Sequence, residues 1–170
     1  MTLMAMLIAV ALIVFIIEAQ VPLPIPGAKL GLANVVTLFA LFYRRGAETS
    51  KNDLTTKDAF IILICRIILG AVFTGRVIAF IYSISGGVLA FAAQALMKKI
   101  VSDKQIWVCG SVGAIFHNIG QILAAILVTG TPSIVVLLPQ LIIIGVITGV
   151  TTGYVAQFTI ARLSLAKGKQ

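Results

Sequence analysis

Residues 21–34 read VPLPIPGAKLGLAN. Three prolines within five residues break an apolar chain, and a lone Lys29 follows between Gly27 and Gly31. Proline has no backbone N–H and holds φ at about −65°, so a short loop built from it keeps its shape with fewer donors to satisfy. The break divides the N-terminal region into two apolar segments, Met1–Glu18 and the run that starts near Leu30. The first segment is not read as a removable leader. It has no Lys or Arg ahead of its apolar core, and Glu18-Ala19-Gln20-Val21-Pro22 is a poor cleavage site. Two retained helices joined by a stiff loop is the expected arrangement.

The rest of the chain is of the same kind. Of its 170 residues, 60% are hydrophobic and 11% charged, with a mean hydropathy of +1.14. Soluble domains carry about a quarter charged residues. Several runs approach the ~20 apolar residues that cross a bilayer. Polar breaks separate six segments, at 1–18, 30–43, 58–74, 77–97, 106–128 and 133–161. A barrel would instead show strands alternating over about ten residues. The chain is therefore expected to be an all-α polytopic membrane protein of six transmembrane helices. Residues 1–170 form a single integral membrane domain on this reading, with almost nothing left for a soluble one. Cys65 and Cys109 lie inside apolar segments without C-x-x-C spacing and read as small core residues.

Charge placement orients the bundle. Ten of the thirteen Lys and Arg fall at alternate ends: Arg44, Arg45, Lys51 and Lys57, then Lys98, Lys99 and Lys104, then Arg162, Lys167 and Lys169. Cytoplasmic loops favour Lys and Arg, so these ends and both termini are expected to be cytoplasmic, a parity that six spans satisfy. The net charge of +8 is then mostly a topology signal with contact to anionic lipid heads, and needs no nucleic-acid partner.

Three cations, Lys29, Arg66 and Arg76, are not explained by topology, and Glu18 is the one acid that shares their half of the bilayer. Arg66 lies about 12 Å below the outer end of the third span. A cation at that depth costs several kcal/mol unless it is paired or faces water. It reads as a site residue or as the partner of Glu18. Lys29 is expected at the mouth of an outward-facing anion site, because a helix start follows it and free N–H groups there attract anions. Arg76 sits in the tight turn between spans three and four.

A second cluster, His117-Asn118-Ile119-Gly120-Gln121, lies within the fifth span. His117 and Gln121 share a helix face. Polar side chains in an apolar span need partners, either neighbouring helices or a ligand. Asn34 and Gln140 stand at comparable outer-half depth. Together these groups describe a polar pocket with a cationic clamp inside an apolar bundle, the usual composition of a small-molecule site. Catalytic machinery is not evident. There is no aspartate pair for magnesium-diphosphate chemistry and no P-loop ahead of Lys-Ser or Lys-Thr, and one histidine does not suffice for a multi-histidine metal or haem site. Neither catalytic residues, a metal nor a cofactor is expected.

Small residues at four-residue spacing mark close helix packing. Gly145, Gly149 and Gly153 in the last span read as an internal packing stripe. Ala5 and Ala9 in the first span form a stripe that either packs internally or meets a partner.

The run EAQVPLPIPGAKLGLANVVTL at 18–38, with AIFHNIGQ at 114–121, resembles the Gx transporter family, also labelled heptaprenyl diphosphate synthase component I. The resemblance covers nearly the whole chain. That family is similar to the S components of energy-coupling-factor (ECF) transporters, six-helix proteins of the bacterial cytoplasmic membrane. The resemblance implies an S-component-like bundle that binds a vitamin or other micronutrient near the outer surface. Such proteins dock on a transmembrane coupling subunit with two ATPases, partly through an A-x-x-x-A face on helix one, which Ala5 and Ala9 match. It thus implies a non-enzymatic substrate-binding subunit for an anionic, polar or isoprenoid-related small molecule. Two other roles are implied. One is a non-catalytic membrane partner of a prenyl diphosphate synthase. The other is a membrane subunit in a quinone-to-flavin path of extracellular electron transfer.

Overall fold

The computed structural model describes residues 2–20, 29–43 and 54–167, with side chains through residue 164. The proline run, and with it Arg44, Arg45, Lys51 and Lys169, lies outside the described residues. The architecture is all-α, with helices α1 (Thr2–Glu18), α2 (Asn34–Phe42), α3 (Thr56–Thr74), α4 (Val77–Met97), α5 (Ile106–Thr129) and α6 (Leu138–Lys167). A 3₁₀ segment, Pro132–Leu137, leads into α6, and no strand occurs among the described residues.

Helix ends follow local chemistry. Thr55 and Asp58 form a capping box at the start of α3, where Asp58 N–H donates to Thr55 Oγ1 at 3.2 Å and Thr55 N–H donates to Asp58 Oδ2 at 2.8 Å. Gly75 and Gly130 close α3 and α5 in the left-handed conformation, with φ of 62° and 65°.

Val77–Met97, Ile106–Thr129 and Pro132–Ser164 are each long and apolar enough to cross a membrane. Thr2–Glu18, 17 residues long, is apolar between Thr2 and Glu18. The 19-residue α3 carries Lys57, Asp58 and Arg66. The helix boundaries track the six apolar runs closely except in the last, where a 3₁₀ segment precedes α6, and in the second. That run predicts a helix from residue 30, but α2 begins at Asn34 and has only nine residues, or about 14 Å of helix. Gly31, at φ 81°, holds the chain in a left-handed turn immediately before it.

The central element is α5, which packs most extensively against α6 and α4. In lipid, helices associate by close packing and hydrogen bonds rather than by escape from water, so small residues gather at the contact. A Cβ added at Gly110 of α5 would strike the Gly149 carbonyl, and one at Gly149 would lie 2.6 Å from the Gly110 carbonyl. Gly153 meets the Trp107 backbone in the same way. The α6 glycine stripe is therefore internal, as its spacing suggests. On the other side, Gly120 lies against Gly86 of α4, and Gly113 lies against the Gln94 side chain.

Helix α1 buries Leu7, Ala11, Phe15 and Glu18 at three- and four-residue spacing. Ala5 and Ala9 lie on its exposed side with Met6, Val10 and Ile13. This small-residue stripe takes no part in the buried face of the helix.

Candidate functional site

The polar groups in this apolar interior converge beneath the start of α2. Glu18 ends α1 and turns its carboxylate toward the α2 N-terminus. One oxygen accepts from Gly31 N–H and the other from Ala33 N–H at 3.3 Å. The acid thus satisfies donors that the first turn of a helix leaves open.

Gln121 of α5 fixes the segment entering α2. Lys29 N–H donates to Gln121 Oε1 at 2.8 Å, and Gln121 Nε2–H donates to the Lys29 carbonyl at 2.7 Å. A side-chain amide thereby pairs with one residue's backbone as a neighbouring strand would. Thr148 of α6 donates to the Leu30 carbonyl at 3.5 Å. Asn34 Oδ1 accepts from Arg66 Nη2 at 3.2 Å. Asn118 faces the other way and donates to the Leu141 carbonyl of α6 at 2.6 Å.

With the amides so engaged, the titratable groups remain. Lys29 Nζ stands 2.9 Å from the centroid of the Phe15 ring, and the Arg66 guanidinium carbon stands 5.9 Å from it. Both cations lie over one aromatic ring, an arrangement that recovers part of their desolvation cost. Lys29 Nζ and Arg66 Nε are nonetheless buried without a hydrogen-bond partner among the described residues, while the buried His117 ring lies against the Gly86 backbone of α4. His117 borders the same space, since a Cβ on Gly31 would lie 3.1 Å from its Cδ2. The missing side chain at Gly31 lets the loop pass between His117 and Asn34.

A family model for heptaprenyl diphosphate synthase component I matches residues 7–159. The chain belongs to this family. No curated protein and no solved structure matches it. The match runs from α1 into α6 and takes in every residue of the cluster. Together with the long apolar helices it makes the chain a membrane protein. The description names one component of a synthase, and so implies a partner subunit.

In this component I protein, six of the eight side chains singled out in the sequence are buried: Lys29, Asn34, Arg66, His117, Asn118 and Gln121. Arg76 is exposed at the N-cap of α4, and Gln140 is exposed in the first turn of α6. Lys29 is not at a mouth. The chain re-enters the bundle to reach α2, which places Lys29 at the level of Gln121. Gln121 and Arg66 each stand eight residues inside the Gly-capped ends of their helices, a depth of about 12 Å. Glu18 and Phe15 are site residues that the sequence does not announce: the acid reads there only as a partner for Arg66, and an aromatic in an apolar helix gives no signal of a cation above its ring.

Proposed function

We propose that this protein is the substrate-binding membrane subunit of an uptake system of the ECF type, taking a small anionic or strongly polar molecule from the outer side. One observation carries the reading. Lys29 Nζ and Arg66 Nε are buried together without hydrogen-bond partners among the described residues, while the amides around them are paired. Native interiors rarely leave such groups unpaired, because each costs about 1–3 kcal/mol or more. An oxyanion supplies the missing acceptors. Two cations against the single carboxylate of Glu18 leave the space with a net positive charge that an anion neutralises.

The proposal includes six spans and cytoplasmic termini. Support comes from Trp107, which lies at the start of α5 beside the lysine-rich turn 98–104, as interfacial aromatics do, and stacks on Tyr154 of α6. The site lies toward the opposite end. Uptake then requires a coupling subunit and two ATPases, with the outward-facing Ala5 and Ala9 stripe as the docking surface. The test is native mass spectrometry of protein extracted in mild detergent. Wild type is expected to retain a small anion that Arg66→Ala and Lys29→Ala both lose at unchanged elution volume. Retention by both variants would remove the clamp.

The family description favours a second reading, a membrane partner for a prenyl diphosphate synthase. It predicts a stable complex with a soluble synthase that neither substitution weakens.

A further inference from the structure

Glu18 is the one carboxylate at this cluster, and it already acts as a bound oxyanion would. It is 2% exposed and holds the N–H groups of Gly31 and Ala33 at the positive end of α2. It lies one turn beyond Phe15, whose ring carries Lys29 and faces Arg66. Lys29 Nζ nevertheless makes no hydrogen bond, to Glu18 or to any other group. A resident acid therefore anchors the helix start while the Lys29 ammonium beside it stays without an acceptor.

We infer that Glu18 is a resident counter-ion and that an anion enters this site together with one proton, which Glu18 takes up. The inference rests on the anion-site reading above. Two negative groups within a few ångströms in a poorly solvated space repel strongly, and protonating one of them removes the repulsion. The proton comes from solvent and forms an O–H bond on one Glu18 oxygen. The other oxygen keeps its backbone donor, and the new O–H can donate to the incoming anion. No other bond changes.

The charged groups that act on Glu18 are Arg66 from α3 and Lys29 from the segment before α2. Arg76, at the start of α4, acts on Lys29, and His117 of α5 lies in the field of both Arg66 and Lys29, while α2 offers Asn34 but no ionisable side chain. His117 and Lys29 are the competing acceptors for the proton.

Sulfate is a suitable probe because it binds no proton near neutrality. Titration calorimetry of the purified full chain in buffers of different ionisation enthalpy counts protons taken up per sulfate bound. Wild type is expected to take up close to one proton, and its affinity should rise about tenfold per unit fall in pH between about 7.5 and 5.5. Glu18→Gln keeps one acceptor for α2 and should bind sulfate at least as tightly at both pH values, with no uptake. Infrared difference spectra of wild type should show a protonated carboxyl band appearing with sulfate, a signal that neither His117 nor Lys29 can give. Wild-type binding without pH dependence, uptake that survives in Glu18→Gln, or uptake with no carboxyl band overturns the role of Glu18 and leaves the site reading in place. The infrared result decides the matter even if Glu18→Gln does not fold. Absence of sulfate binding in wild type at every pH overturns both readings.

Discussion

Replacing Lys29 by methionine is expected to stabilise this protein while abolishing anion binding. Lys29 is 7% exposed, and its ammonium has no hydrogen-bond partner among the described residues. A buried donor left unpaired costs about 1–3 kcal/mol, more for a charged group, and the Phe15 ring returns part of that. Removing the charge is therefore expected to gain roughly 2 kcal/mol. Methionine keeps the apolar stem and places a sulfur over the Phe15 ring, a favourable contact. The methionine variant should therefore melt roughly 4–8 °C higher at pH 7. Loss of helical circular dichroism on heating in mild detergent measures it. A variant that melts at or below the wild-type temperature at pH 7 refutes the reasoning.

Two further predictions concern the frame around the site. Gln121→Leu removes both bonds to the Lys29 backbone and strands a buried N–H and C=O, at a cost of about 2–4 kcal/mol. Hydrogen exchange at the Lys29 amide should rise by orders of magnitude, and unchanged protection would show that the clamp is dispensable. Gly110→Ala drives a Cβ into the Gly149 carbonyl and to 3.0 Å from Gly153 Cα. Neither is a side chain that can swing away, so α5 and α6 must part at about 1–3 kcal/mol. A melting temperature equal to wild type would mean that the stripe is not in tight contact.

The bundle was legible because a run of apolar residues between polar breaks has few alternatives: four of the six runs match their helices to within two residues, and the last is displaced by five or six because a 3₁₀ segment precedes α6. Convergence of Lys29, Asn34, Arg66, His117 and Gln121 was legible for a related reason, since polar groups in an apolar interior must find one another. Their division of labour was not. Gln121 and Asn118 are three residues apart on one helix, yet one holds the Lys29 backbone and the other the Leu141 carbonyl of α6. Which carbonyl each amide meets depends on how α5 is rotated between two neighbours. Gln140 and Arg76 have the right depth, but their side chains are exposed, and depth alone carries no information on rotation. Lys29 was misplaced at the mouth because nothing in GAKLG announces that Gly31 adopts a positive φ and delays α2 by four residues.

The shortness of α2 bears on biogenesis. Nine helical residues reach less than half of the ~30 Å hydrocarbon core, so this segment cannot partition into lipid alone. Its two ends are held by residues far along the chain. Glu18 accepts the N–H groups before its first turn, and Lys98 Nζ donates to the Leu41 carbonyl in its last. Lys98 is translated 57 residues after Leu41 and stands beyond the end of α4. Although α2 is second in the chain, it is thus expected to settle only after α4 has been made. A translation pause before residue 98 should leave it still accessible to a water-soluble label.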